Sequence, residues 1–136
     1  MSGIKLLSLP KIVDKRGNLS FIENLEHIPF EIQRVYWIYD VPSGEKRGGH
    51  AFIKQQEYIV ALSGSFDVVT DDGENSTTTS LNRSYNGIYI PNGIWRELNN
   101  FSTNSVALIL SSTQYNLNDY IRDYNEFLIF KSDVQK

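Results

Sequence analysis

Between Ile4 and about Leu110 the chain strings together short apolar or alternating runs, separated by turn residues at the spacing of an all-β sandwich or barrel. The runs are LSFIE (19–23), RVYWIYDV (34–41), EYIVAL (57–62), SFDVVTDD (65–72), GIYIP (87–91) and SVALILSS (105–112). Between them, Arg16-Gly17-Asn18, Pro42-Ser43-Gly44, Ser63-Gly64, Asp72-Gly73 and Pro91-Asn92-Gly93 supply the fixed or positive φ that tight turns need. The polar stretch from Ser76 to Ser80 reads as the exposed edge of a hairpin. In EYIVAL, Glu57, Ile59 and Ala61 face one way and Tyr58, Val60 and Leu62 the other, so both faces are largely apolar and neither suits water. One face lines a barrel; the other needs a cover, from a second subunit or from a C-terminal helix. The last thirty or so residues change period. Tyr120, Ile121, Tyr124, Phe127 and Leu128 fall on one stripe of a 3.6-residue helix, with Asn116 or Asn118 as N-cap, which predicts a helix over about 118–131 flanking a barrel over about 4–112.

A length of 136 residues sets the expectation of one domain, 1–136, with a single hydrophobic core. Its 40% hydrophobic and 21% charged residues are the balance of a soluble globular protein. The net charge of −3 gives no general attraction to a polyanion, which disfavours nucleic acid and leaves any phosphate-bearing ligand to a few Arg or Lys inside a pocket. Cysteine is absent, and with it disulfides, thiolate nucleophiles and Cys-based metal sites. The N-terminal stretch lacks the long apolar region and cleavage site of a signal peptide, and no run approaches the roughly 18 apolar residues that span a bilayer. The expected location is the cytoplasm.

The chemistry concentrates in two motifs. Gly48-Gly49-His50-Ala51-Phe52, Glu57 and Gly64 resemble the first cupin motif, G-x5-H-x-H-x3-4-E-x6-G, with Phe52 in place of the second His. Pro91-Asn92-Gly93-Ile94-Trp95-Arg96 followed by Asn99 and Asn100 resembles the second, P-x-G-x2-H-x3-N, with Arg96 in place of the third His. These positions therefore offer one imidazole, a phenyl ring, a carboxylate and a guanidinium, and a guanidinium does not lose its proton to bind a metal. No metal and no cofactor is expected. An inward Arg96 needs an anionic partner, either a carboxylate such as Glu57 or a ligand.

Taken in order, RVYWIYD, KRGGHA, ALSGSFDVVTDDG, GIYIPNGIWRE and DYIRDY resemble the sugar 3,4-ketoisomerase (WxcM-like) branch of the cupin superfamily over roughly residues 5 to 130. The resemblance implies an RmlC-like jelly-roll barrel. It also implies a homodimeric, metal-free enzyme that moves the carbonyl of a dTDP-4-keto-6-deoxyhexose from C4 to C3, on the way to amino sugars of surface polysaccharides. His50 matches a histidine with a proton-shuttling role; imidazole suits both removal of the C3 proton and its return to C4. Because Phe52 cannot donate or accept, Tyr89, Tyr36 and Glu57 are the candidates for the missing acid or hydrogen bond, Tyr89 foremost as a second catalytic group. Arg47 stands where the resemblance places a contact to the nucleotide diphosphate. Arg16 lies in a loop that in the family approaches the sugar, or is a plain turn charge; Trp95 either stacks on thymine or belongs to the core. Related enzymes vary at the positions of Arg16 and Arg96 and differ in the configuration they leave at C4.

Overall fold

Side chains that alternate between core and solvent need two sheets face to face, and the computed structural model, which describes residues 3–134, has that arrangement. Its elements are β1 (Lys5–Ser8), β2 (Lys11–Ile12), β3 (Leu19–Ser20), β4 (Arg34–Tyr39), β5 (Arg47–Phe52), β6 (Glu57–Ser63), β7 (Phe66–Asp71), β8 (Ser76–Leu81), β9 (Asn86–Ile90), β10 (Trp95–Asn99), β11 (Val106–Ser111), β12 (Tyr120–Ile121) and α1 (Tyr124–Val134). One five-stranded sheet runs β1-β9-β6-β11-β4, the other β12-β5-β10-β7-β8, and β2 and β3 form a separate hairpin. All pairs are antiparallel. The polar run from Ser76 lies where its composition suggests, in β8 at an outer edge.

Inward-facing residues of both sheets form the central core: Ile59, Ala61 and Ile109 from one sheet meet Phe66, Val68 and Leu98 from the other. In β6 the outward Tyr58 and Val60 are also buried, covered by Leu9 and by Ile28 and Phe30 of the segment between β3 and β4. Glycine is obligatory at Gly87, beside β6, where a Cβ would stand 2.4 Å from the Tyr58 ring and 2.6 Å from the Ile59 carbonyl oxygen. That cover is incomplete. Val35, Trp37, Tyr39 and Leu62 remain exposed on the outer face of the same sheet.

The C-terminal region differs from the helix expected over 118–131. A 3-10 turn at Leu117–Asp119, with Asn116 as its N-cap, leads into β12, and α1 begins only at Tyr124. Tyr120 and Ile121 are strand residues because they complete a ladder opposite Phe52 and Ala51, which outweighs the helical stripe. Asp119 holds the corner by accepting hydrogen bonds from the backbone N–H groups of Lys54 (2.8 Å) and Gln55 (3.0 Å). The helix is then capped by Asp123, which accepts from the N–H groups of Asn125 (2.7 Å) and Glu126 (3.2 Å). It packs through Phe127 onto Ala51, Trp95 and Ile121, on the outer face of the β5/β10 sheet. The helix therefore does not cover the outer face of β6. No helix among the described residues is long and apolar enough to cross a membrane.

Candidate active site

A strand that alternates regularly puts residues three apart on opposite faces, yet Arg47 and His50 both line one cavity. The reason is a β-bulge. Leu98 pairs with Arg47 and Arg96 with His50, so β5 spends one residue more than β10 over that interval. Gly48 and Gly49 absorb it with φ of +89° and +79°, a conformation that costs other residues about 1–2 kcal/mol each. A Cβ on Gly48 would also stand 3.1 Å from the Arg96 carbonyl oxygen. The Gly-Gly pair thus turns Arg47 and His50 to the same side.

The cavity, of about 340 Å3, lies between the two sheets and is lined by Tyr36, Arg47, His50, Glu57, Arg96, Tyr120 and Arg122, with the apolar Ile38, Ile59, Leu98 and Ile109. Its inner wall is a polar network in which, of the side-chain atoms, Arg34 Nε is buried without a partner. Glu57, 2% exposed, accepts hydrogen bonds from the Arg96 guanidinium, from the Tyr36 hydroxyl and from Gln55 Nε2, the last at 2.7 Å. Gln55 in turn accepts from Thr113 (2.8 Å) and Arg34 (3.2 Å). Arg96, itself 1% exposed, also donates to the Ile94 carbonyl through Nε (3.3 Å) and Nη2 (3.1 Å). A buried ion pair is tolerable when its polar atoms find partners, and here both Glu57 oxygens and all three Arg96 nitrogens have at least one. Burial, followed by the Glu57 charge, pushes the Tyr36 hydroxyl well above the usual phenol range, so the hydroxyl keeps its proton near pH 7.

His50 stands apart from this network. Its ring meets Phe52 at 4.8 Å and Tyr120 at 5.1 Å between centroids, both edge-on, and its Nδ1 is buried without a hydrogen-bond partner. Burial first, then the guanidinium charges of Arg96 and Arg122, push its pKa down to about 3. The imidazole is therefore neutral near pH 7, the form in which a base must start. Phe52 is fully buried beneath it, and the Arg96 guanidinium carbon lies 5.0 Å from the Phe52 ring centroid. The position that carries a second imidazole in the motif is thus an apolar floor outside the cavity lining.

Of the residues singled out in the sequence, His50, Glu57, Arg96, Tyr36 and Arg47 come together, and Arg96 has the carboxylate partner its burial demands. Three do not join them. Tyr89 pairs across from Tyr58, on the outer face of its sheet, where its hydroxyl donates to Gln56 Oε1 at 2.6 Å and its ring packs near Phe30. Inward positions of β9 belong to Ile88 and Ile90, so Tyr89 cannot reach the cavity. Trp95 lies outward on β10, 5.3 Å from the Tyr124 ring and 5.7 Å from that of Phe127, and serves as the seat of α1. Arg16 is exposed in the loop between β2 and β3 and pairs with Asp14 at 3.0 Å. Conversely, Tyr120 and Arg122 line the cavity but escape the helical reading of their segment. The available signal was Asp123-x-x-Glu126, a start box that moves the helix past both of them. Among the described residues no group of three or more His, Asp or Glu is placed to hold a metal ion.

The family model described as WxcM-like, C-terminal matches residues 2–132. A TDP-4-oxo-6-deoxy-alpha-D-glucose-3,4-oxoisomerase from Aneurinibacillus thermoaerophilus is 40% identical over 134 residues, covering 97% of this chain and 96% of that protein. The crystal structure of a 3,4-ketoisomerase from Helicobacter canadensis superposes with a TM-score of 0.95 at 41% identity, covering 98% of this chain and 100% of the other. A histidine-to-asparagine variant of the 3,4-ketoisomerase QdtA from Thermoanaerobacterium thermosaccharolyticum, in complex with TDP-4-keto-6-deoxyglucose, gives a TM-score of 0.95 at 32% identity, covering 98% of this chain and 96% of the other. The rmlC epimerase of Mycobacterium tuberculosis shares the fold alone, with a TM-score of 0.73 at 20% identity over 87% of this chain and 67% of the other.

Proposed function

The chain belongs to the WxcM-like, C-terminal family, and from that premise we propose that it is a cytoplasmic, dimeric 3,4-ketoisomerase of a TDP-4-keto-6-deoxyhexose, with His50 as its base. The observation that carries the assignment is a single imidazole, half-buried in a cavity walled by the guanidinium groups of Arg47, Arg96 and Arg122. The reaction moves the carbonyl from C4 to C3 without any external oxidant. The C3 carbon and its hydroxyl each lose a proton, the C4 carbon and its oxygen each gain one, and an enediol lies between. His50 takes the C3 proton and returns it to C4 from one face of the sugar. Hydroxyl protons need a second carrier, and Tyr36, which lines the cavity and is bridged to Glu57, serves by giving a proton to the C4 oxygen as it takes one from the C3 hydroxyl, so that no phenolate is left. Arg96 is tied to Glu57, so its part is to fix that carboxylate and present positive charge to the enediol oxygens. Arg47, brought round by the bulge, is the contact to the diphosphate.

The uncovered outer face of the β6 sheet supports the dimer. An apolar groove of about 390 Å3 there, lined by Leu9, Phe21, Ile22, Val35, Leu62 and Leu108, lies away from the C-terminal helix. Leu62→Glu should leave the barrel folded and shift the protein to monomer by sedimentation; a monomeric wild type removes the dimer from the reading. For the reaction itself, incubation with TDP-4-keto-6-deoxyglucose is expected to give the 3-keto isomer, trapped by a partner aminotransferase, and His50→Asn to abolish it. Wild type inert on both gluco and galacto precursors would overturn the assignment. Arrival at C4 of a C3 deuterium label or of solvent deuterium, with no exchange at C5, separates isomerisation from epimerisation.

A further inference from the structure

Tyr120 links two groups of opposite character. Its ring lies 5.1 Å from the His50 ring, and the Arg122 guanidinium carbon lies 4.3 Å from its centroid. Arg122 is exposed at the rim of the cavity that His50 also lines. Among the described residues the ion pairs are Arg96 with Glu57 and Arg16 with Asp14, so the charge of Arg122 has no carboxylate against it. His50 is correspondingly surrounded. Arg96 faces it from β10, Tyr120 from β12 and Arg122 from just beyond that strand, Glu57 from β6, Tyr36 from β4, and Arg47 and Phe52 from its own strand. Glu57 is the anion of that set, and it is bound to Arg96. An unpaired guanidinium attracts an anion and opposes protonation of a neighbouring imidazole, and pairing it with an anion relieves that opposition.

We propose that Arg122 binds the diphosphate of the sugar nucleotide and that this pairing strengthens His50 as a base, so that the base is activated by the ligand it acts on. The ligand's identity rests on the ketoisomerase reading; the coupling between anion and imidazole rests on the cavity. In the free protein His50 stays unprotonated, since burial and the charges of Arg96 and Arg122 both disfavour the imidazolium. With Arg122 neutralised, the imidazole accepts a proton from C3 more readily, and an enzyme without nucleotide carries no active base to react with other carbonyl compounds.

The protein contains two histidines, His27 and His50, which makes the test direct. Histidine-labelled, full-length protein would be titrated by NMR across the pH range in which the fold persists, with and without saturating TDP, and with inorganic pyrophosphate; His50→Asn assigns the two signals. Either ligand should raise the His50 midpoint by about one unit or more and leave His27 in place. Arg122→Gln should at least halve that shift and weaken TDP binding at least about tenfold, whereas Arg122→Lys keeps most of both. A His50 titration that saturating TDP leaves unmoved, failure of TDP to bind, or an Arg122→Gln protein with wild-type affinity and shift each overturns the proposal. Turnover without a ligand-induced shift sinks the coupling and spares the ketoisomerase reading; a shift in a protein that turns nothing over supports the coupling and sinks that reading.

Discussion

Replacing Arg96 by Met tests the inner wall of the cavity, because it removes one charge of a pair buried to 1% and 2% exposure and leaves the volume nearly unchanged. Glu57 would keep its bonds from Tyr36 and Gln55 but lose the guanidinium that balances its charge. Breaking such a pair from one side costs roughly 3–5 kcal/mol, a large part of the 5–15 kcal/mol by which a domain of this kind is stable. At about 3–5 °C per kcal/mol for a chain of this length, the thermal midpoint should fall by roughly 10–25 °C. Glu57→Gln strands the opposite charge and should cost a similar amount. The double variant, with neither charge, should be more stable than the sum of the two losses by about 2 kcal/mol or more, since most of each single cost is an uncompensated ion. Urea unfolding of all four proteins at one protein concentration measures this cycle and keeps any association constant. Single costs below about 1 kcal/mol, or losses that simply add, would mean that water reaches the pair and that the network does not hold the wall.

Three further outcomes follow from the same geometry. His50 has a folded pKa of about 3 against an ordinary 6.5, so the unfolded chain takes up a proton that the folded protein refuses. His50 therefore contributes a loss of about 2 kcal/mol between pH 7 and pH 5, visible as the difference in urea stability between wild type and His50→Gln; equal pH slopes for the two would refute it. Phe52→His restores the motif but puts a polar ring into a fully buried socket against His50 and Tyr120, so it should lower stability by about 1–3 kcal/mol without raising turnover; a faster enzyme would show that the floor position takes part in the chemistry. Tyr89→Phe deletes a hydroxyl on the outer face and should leave kcat within a factor of about two, where loss of a general acid costs 100-fold or more in the isomerase assay.

Much of this site is legible in the sequence, and what is not fails for identifiable reasons. Alternation places Glu57, Ile59 and Ala61 on one face of β6, as found, and the cost of burying an unpaired guanidinium predicts that Arg96 meets a carboxylate such as Glu57 or a ligand; the partner in the structure is Glu57. Tyr36 and Tyr89 look alike, each a tyrosine in an apolar strand, and differ only in which face their neighbours occupy. Ile88 and Ile90 on either side of Tyr89 fill the inward positions, whereas Tyr36 shares its inward face with Ile38 and Arg34. Tyr120 shows tertiary pairing overriding local period: its stripe with Tyr124 and Phe127 is helical, but the edge of β5 offers backbone partners that a helix would leave unmet. The hardest feature to read is also the one on which the site depends. Counting by twos sets Arg47 and His50 on opposite faces, and Gly48-Gly49 reads as a turn. A turn would end the strand, but a bulge continues it with the phase reversed, and two successive positive-φ residues are cheap only as glycines. A Gly-Gly pair followed at once by a strand that continues through Ala51 and Phe52 is therefore better read as a phase change than as an end, and that reading alone brings the guanidinium of Arg47 and the imidazole of His50 to one cavity.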